Sequence, residues 1–141
     1  HLMPNRGAGS GDEEHRLRLA VAALLLEMTR ADEQVSADEC SALEDGIRDH
    51  FGLTDEETRE LIALAEAERR EATDYFQFTS LVNAHYGPEQ RVQLVEQLWQ
   101  IAYADETLHH YEEHLVRKVA QLLHVPHGAF IAAKLRSGGE N

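Results

Sequence analysis

The sequence has little cysteine, proline or aromatic residue, and each shortage narrows the folds open to it. A single cysteine in 141 residues, Cys40, excludes an internal disulfide, and we expect it to be a buried small apolar residue. Aromatic residues make up 6% of the chain and β-branched runs are absent, which argues against a sheet. Ala, Leu, Glu, Arg and Gln predominate, so the composition predicts an all-α protein.

Basic side chains are also scarce. The 26 Asp and Glu outnumber the 13 Lys and Arg, which gives a formal net charge of −13. Residues 12–71 carry most of the excess, with eighteen acidic and seven basic side chains. Because phosphate groups are bound by clustered Lys and Arg, this balance argues against nucleic acid and anionic lipid as partners. A divalent cation or a protein is the better electrostatic match.

Long hydrophobic runs are missing too. No stretch of eighteen apolar residues and no signal peptide occurs, so we expect a cytoplasmic protein without membrane insertion. The length suits one domain with one core. We expect residues 1–14, with their Gly-rich tract, to be a disordered arm or a cloning remnant, and residues 137–141 to be a frayed tail. That leaves residues 15–136 as the folded domain.

Apolar periodicity and capping signals predict about seven helices in one compact bundle. The first and fifth helices are apolar around most of their circumference, which indicates two buried central helices. Thr54 with Glu57 forms a capping box, Gly52 suits a C-cap and Pro88 suits a first helical turn. Four aromatic residues at helical spacing are predicted to lie in the core: Phe76, Phe78, Trp99 and Tyr103. The predicted helices cover about residues 15–30, 37–50, 55–70, 75–86, 88–102, 110–123 and 127–135.

One segment recurs seventy-three residues later in the chain. Ala31-Asp32-Glu33 and Ala104-Asp105-Glu106 each follow a central helix, and Glu39 and Glu112 then begin the next helix. With this offset, helices one to three resemble helices five to seven, and helix four is an insertion. The sequence therefore predicts two related three-helix units around the two central helices.

The two acidic loops are candidates for a divalent metal site. Calcium and magnesium prefer several carboxylate and carbonyl oxygens that converge from a loop, and Asp32, Glu39, Asp105 and Glu112 could supply them. The alternative is helix capping, because carboxylates at helix starts are favoured by the macrodipole and Glu39 also fits a capping box with Ser36. Capping does not require the Asp seven residues earlier, which recurs in both units. Neither loop matches the EF-hand pattern.

Histidines in the second loop add zinc to the candidate metals. His109 and His110 lie beside the carboxylates, and His110 with His114 shares a helical face. The H-x-x-E-H spacing of a zinc peptidase group is present, but we reject that interpretation because a further ligand on another helix and a substrate cleft are needed. Solvated surface histidines are the alternative. No phosphate-binding loop or activated nucleophile is visible, so we expect neither an enzyme nor an organic cofactor.

These loops, together with the segment Glu112–Ala120, resemble the tellurite-resistance TerB-like family over residues 15–136. The resemblance implies an all-α bacterial cytoplasmic domain of seven or so helices around two central ones. It also implies a link to tellurite and related stress resistance, with divalent cations proposed at the acidic positions. The family motif usually has Gly after the Asp, whereas this chain has Glu33 and Glu106, which add a carboxylate to each loop.

From residues and resemblance together we expect a non-enzymatic TerB-like domain. It would bind calcium, magnesium or zinc through some of Asp32, Glu39, Asp105 and Glu112, with the loop histidines and Glu33 and Glu106 as further candidates. The alternative is a metal-independent protein-interaction or scaffold module. The sequence leaves the oligomeric state open.

Overall fold

The computed structural model describes the backbone of residues 2–30, 37–71, 74–104 and 110–138, and the side chains of 13–28, 40–71, 74–104 and 112–138. This part of the chain contains α-helices and no strand, as the composition predicted. None of its helices has the length and hydrophobicity of a membrane span. The helices are α1 Leu2–Arg30, α2 Ala37–Phe51, α3 Asp55–Glu71, α4 Phe76–His85, α5 Pro88–Ala102, α6 His110–Leu122 and α7 His127–Arg136.

Two of the helix starts that the sequence marked, at Thr54 and Pro88, are confirmed, whereas the capping box of Ser36 with Glu39 lies outside the described residues. At α3 the backbone N–H of Glu57 donates to Thr54 Oγ1 at 3.1 Å, and the Thr54 N–H donates to Glu57 Oε1 at 2.9 Å. This reciprocal pair is a capping box, which satisfies two donors that the helix itself leaves unused. Pro88 is the first residue of α5, where its missing N–H costs no helical bond.

α1 begins at Leu2, upstream of the predicted start at His15. The side chains before Glu13 lie outside the described residues, so the prediction that residues 1–14 stand apart from the folded domain stays a prediction. From Ala20 to Met28 the helix is almost entirely buried, with seven consecutive apolar side chains at 5% exposure or less. Contacts with five other helices, α2 to α6, explain why α1 needs an apolar surface all round.

α5 is the second central helix, as predicted. It packs against α1, α2, α6 and α7. Its buried side chains include Leu94, Leu98 and Trp99, each with no exposed surface. The α1 and α5 side chains belong to one continuous hydrophobic cluster, to which α2, α3, α4, α6 and α7 also contribute. The domain therefore has one core built around two helices.

The predicted repeat has a structural counterpart in the turns after α2 and α6. Gly52 and His124 both have positive φ angles, of 67° and 61°. After each, an N–H donates back to a carbonyl five residues earlier: Leu53 to Arg48 at 3.0 Å, and Val125 to Ala120 at 3.0 Å. These turns are seventy-two residues apart, one fewer than the sequence alignment predicted. The shift is consistent with the lengths of the two helices, 15 residues in α2 and 13 in α6.

Two predictions about individual side chains are wrong. Cys40 is exposed, because it lies near the start of α2, about one turn before Leu43 and beyond the edge of the core. Phe76 is 65% exposed as the first residue of α4. Phe78, two residues later on a different face of the same helix, is buried at 4%, and Trp99 is fully buried. Helical spacing thus identified the core helices better than it identified the ends of their buried faces.

Candidate functional site

Most of the predicted metal ligands fall where the structure gives no side-chain position. Asp32, Asp105 and His109 lie outside the described residues, as do Glu33 and Glu106. Glu39 and His110 have described backbones in the first turns of α2 and α6, but their side chains also lie outside the described set. Glu112, the third residue of α6, is the predicted ligand whose side chain can be located.

The Glu112 side chain is completely buried, with 0% of its surface exposed. It lies on the same face of α6 as Leu115, Val116 and Val119, which are 0–4% exposed. A buried carboxylate is stable only when hydrogen bonds, an ion pair, a proton or a bound cation compensate for lost hydration. Its carboxylate is a hard oxygen donor of the kind that calcium and magnesium bind, so Glu112 stays a candidate ligand.

The direction of α4 relative to α1 helps to locate this site in the bundle. Ala20 of α1 and Leu81 of α4 line the same cavity. Further along α1, Glu27 lines a second cavity together with Tyr75, just before α4 begins. Later residues of α1 therefore face earlier residues of α4, so the two helices run antiparallel.

α6 runs in the same direction as α4. The Lys118 ammonium lies 6.0 Å from the centroid of the Tyr75 ring, and Asn83 Nδ2 donates to the carbonyl of Leu122 at 2.9 Å. Because α4 is antiparallel to α1, the end of α1 at Arg30 and the start of α6 at His110 lie toward the same end of the bundle. The described end of α1 and the described start of α6 thus lie on one side of the molecule, while the acidic segments themselves lie outside the described residues.

An ion pair and a stacked ring system hold the start of α6 against α5 and α7. Lys134 Nζ lies 3.4 Å from Glu113 Oε2 and 5.4 Å from the centroid of the Trp99 ring. Trp99 in turn stacks on Tyr103, with ring centroids 5.7 Å apart and an angle of 20° between the planes. Burial raises the pKa of Tyr103, so its hydroxyl stays protonated at neutral pH. These contacts fix the backbone from which Glu112 projects.

No group of three or more His, Cys, Asp or Glu side chains with the arrangement of a metal site occurs among the residues that the structure describes. Since Glu112 is the sole described member of the predicted ligand set, this finding does not test the set itself. The assignment of Asp32, Glu39, Asp105, Glu112, His109 and His110 stays a prediction.

The sequence reasoning missed a partly buried polar contact between α2 and the residue that follows α4. His50 Nε2 lies 2.6 Å from the hydroxyl of Tyr86. Burial lowers the pKa of His50, which the neighbouring Gln97 side chain partly opposes, and burial raises the pKa of Tyr86 to about 12. At neutral pH both groups are therefore uncharged, and the tautomer of His50 decides which of the two donates the hydrogen bond. The two residues are thirty-six positions apart, and no spacing rule connects them.

Comparison with known proteins gives a family and a fold. The family model described as tellurite resistance protein TerB matches residues 18–135. The crystal structure of a protein of unknown function from Porphyromonas gingivalis is similar, with a TM-score of 0.66 and 15% sequence identity over 89% of this chain and 96% of that chain. At this identity the likeness concerns the fold alone. No curated protein matches the sequence at a significant level.

Proposed function

Because the chain belongs to the tellurite resistance protein TerB family, we propose that it is a non-enzymatic, cytoplasmic TerB-like domain that binds a divalent cation. The carboxylates of Asp32, Glu39, Asp105 and Glu112 would supply oxygen ligands. His109 and His110 would supply nitrogen ligands if the ion is zinc. The bound cation would neutralise part of the acidic charge and connect the two repeated units.

The complete burial of Glu112 is the observation that carries this proposal. Glu112 and Glu39 are each the third residue of the helix that follows an acidic segment, in α6 and α2 respectively. The end of α1 and the start of α6 also lie toward one end of the bundle, which supports a single ion bound by both segments. A chain with a net charge of −13 gains more from such neutralisation than a neutral one would.

The proposal is tested by titrating calcium, magnesium, manganese and zinc into the metal-free protein and following heat release and thermal unfolding. An ion that binds only the folded state adds about 2.7 kcal/mol to the free energy of unfolding at 100 times its dissociation constant. We expect this gain in the wild type and its loss in the double variant Asp32→Asn, Asp105→Asn.

A matched control is the double variant Asp49→Asn, Asp55→Asn, which removes the same charge from two exposed carboxylates near Arg48. It should keep the ion-dependent gain. If no ion stabilises the wild type, or if the control loses the gain equally, the metal proposal is wrong. Unfolding of the Asp32→Asn, Asp105→Asn protein in the absence of ions would instead show that the acidic segments act as scaffolding.

A metal-independent interaction module is the second candidate, and the exposure of Phe76 favours it. Its ring is 65% exposed, whereas a core aromatic is almost entirely covered. A protein partner that binds in the presence of chelator, and that a Phe76→Ser variant no longer binds, would support this function. If the Phe76→Ser variant still binds the partner, the surface around Phe76 is not the binding surface.

A further inference from the structure

A cleft of about 450 Å³ on the described surface brings together three of the chain's basic side chains. We call it the cationic cleft. It lies among α1, α3, α4 and α6, and its main lining residues are Arg69, Arg70, Lys118, Tyr75, Phe78 and Glu27. A cluster of three cations stands out in a protein with 13 basic and 26 acidic residues.

The two carboxylates that line this cleft each have a partner within the protein. Glu27 Oε1 lies 3.3 Å from Arg69 Nη1, and Asp74 Oδ1 accepts a hydrogen bond of 2.9 Å from the N–H of Phe76. By contrast, Arg70 and Lys118 are exposed and have no carboxylate partner among the described residues. Their charges remain available to an anion that enters the cleft.

Arg69 gives the cleft a rigid wall. Its side chain is only 14% exposed, and Glu27 and Glu66 hold its guanidinium at 3.3 and 3.1 Å. The Arg69 Nε–H group is buried and has no hydrogen-bond acceptor within the described part of the chain. A guanidinium held in one geometry loses little conformational freedom when it binds a further acceptor.

The rest of the lining is aromatic. Phe78 is 4% exposed, and the neighbouring Tyr75 ring has the Lys118 ammonium 6.0 Å from its centroid. Small-molecule sites commonly combine an apolar or aromatic lining with a few convergent charged groups, in cavities of about 300–1,000 Å³. The cationic cleft has this size, and its lining combines two aromatic with five charged residues.

We propose that the cationic cleft binds a small organic oxyanion, in which a phosphate or carboxylate group is joined to a planar apolar body. The oxyanion would bind Arg70 and Lys118 through charge-assisted hydrogen bonds, and the planar body would pack on Tyr75 and Phe78. This site is independent of the acidic segments and takes a ligand of the opposite charge. The metal proposal and this one can therefore fail separately.

The test follows backbone amide NMR signals of the full chain during titration with phenyl phosphate, benzoate and the neutral benzyl alcohol. We expect saturable shifts at Arg69, Arg70, Tyr75 and Lys118 with at least one of the two anions at millimolar concentration. Comparison of the anions shows whether the site prefers phosphate or carboxylate.

Variants of the cleft residues show whether the anionic probe binds in the cationic cleft. Arg70→Gln combined with Lys118→Gln should weaken binding of the anionic probe by about tenfold or more, because two charge-assisted contacts are lost. Arg59→Gln, an exposed residue on α3 that does not line the cleft, should leave binding within about twofold. The proposal is overturned if neither anion gives saturable shifts, if benzyl alcohol binds as tightly as the anions, or if Arg59→Gln weakens binding as much as the double variant.

Discussion

Replacing His50 by Gln should remove a pH dependence that the fold imposes on stability. The imidazole is partly buried, and its Nε2 shares a hydrogen bond of 2.6 Å with the hydroxyl of Tyr86. Gln keeps a polar group near the same position but does not titrate. The variant therefore separates the effect of protonation at His50 from the effect of losing the side chain.

The direction of this pH dependence follows from the direction in which the pKa of His50 is shifted. Burial lowers the pKa of folded His50 below its ordinary value of 6.5, whereas the unfolded chain keeps that value. The contribution to stability is therefore complete above about pH 6.5 and is lost as the pH falls toward the folded pKa. Within that window the unfolded state binds more protons, so the free energy of unfolding falls by at most about 1.4 kcal/mol per pH unit.

The free energy of unfolding in urea is measured for wild type and His50→Gln at about pH 7.5 and about pH 5.5. The contribution of His50 is the loss on acidification in the wild type minus the loss in the variant. The wild type should lose up to about 1.4 kcal/mol more than the variant on acidification. A Tyr86→Phe variant should be less stable by about 1 kcal/mol at both pH values but should keep the pH dependence, because burial is its main cause. Equal losses in wild type and His50→Gln would refute the reasoning.

Two further predictions concern helix ends. Thr54→Ala should lower the free energy of unfolding, measured in urea, by about 1 kcal/mol, since it removes the side-chain acceptor for the Glu57 N–H. Glu57→Gln keeps an acceptor oxygen and should cost much less. Equal losses of stability in the two variants would contradict the capping assignment. His124→Gly should raise the melting temperature, with a gain of up to about 1 kcal/mol, because φ at this position is 61°. Gly52→Ala at the equivalent turn, where φ is 67°, should lower the melting temperature. A lower melting temperature for His124→Gly would show that the His124 side chain stabilises its turn.

The helical architecture could be predicted because its determinants are local in sequence. A capping box such as Thr54 with Glu57 acts between residues three apart, and a C-cap glycine such as Gly52 acts on its own turn. How far the buried face of each helix extends was less predictable. Cys40 and Phe76 both lie near a helix start, where the apolar face extends beyond the neighbouring helices, and no local signal marks that edge.

The candidate sites were predictable only in part. Periodicity places Glu112 on the face of α6 that carries Leu115 and Val119, but the complete burial of its carboxylate depends on how α6 packs. The cationic cleft gave no signal in the sequence. Arg69 and Lys118 are on different helices, nearly fifty residues apart, in a chain whose overall charge suggests no anion-binding surface.

The order of helices, their caps, the two central apolar segments and the acidic repeat are fixed by the sequence itself, because each depends on residues within a few turns of one another. The tertiary structure alone decides which charges lose their water and which meet across helices: the burial of Glu112, the contact of His50 with Tyr86, and the convergence of Arg69, Arg70 and Lys118. The reason is that hydration and Coulomb energy depend on distance in space, which the spacing of residues along a chain does not determine.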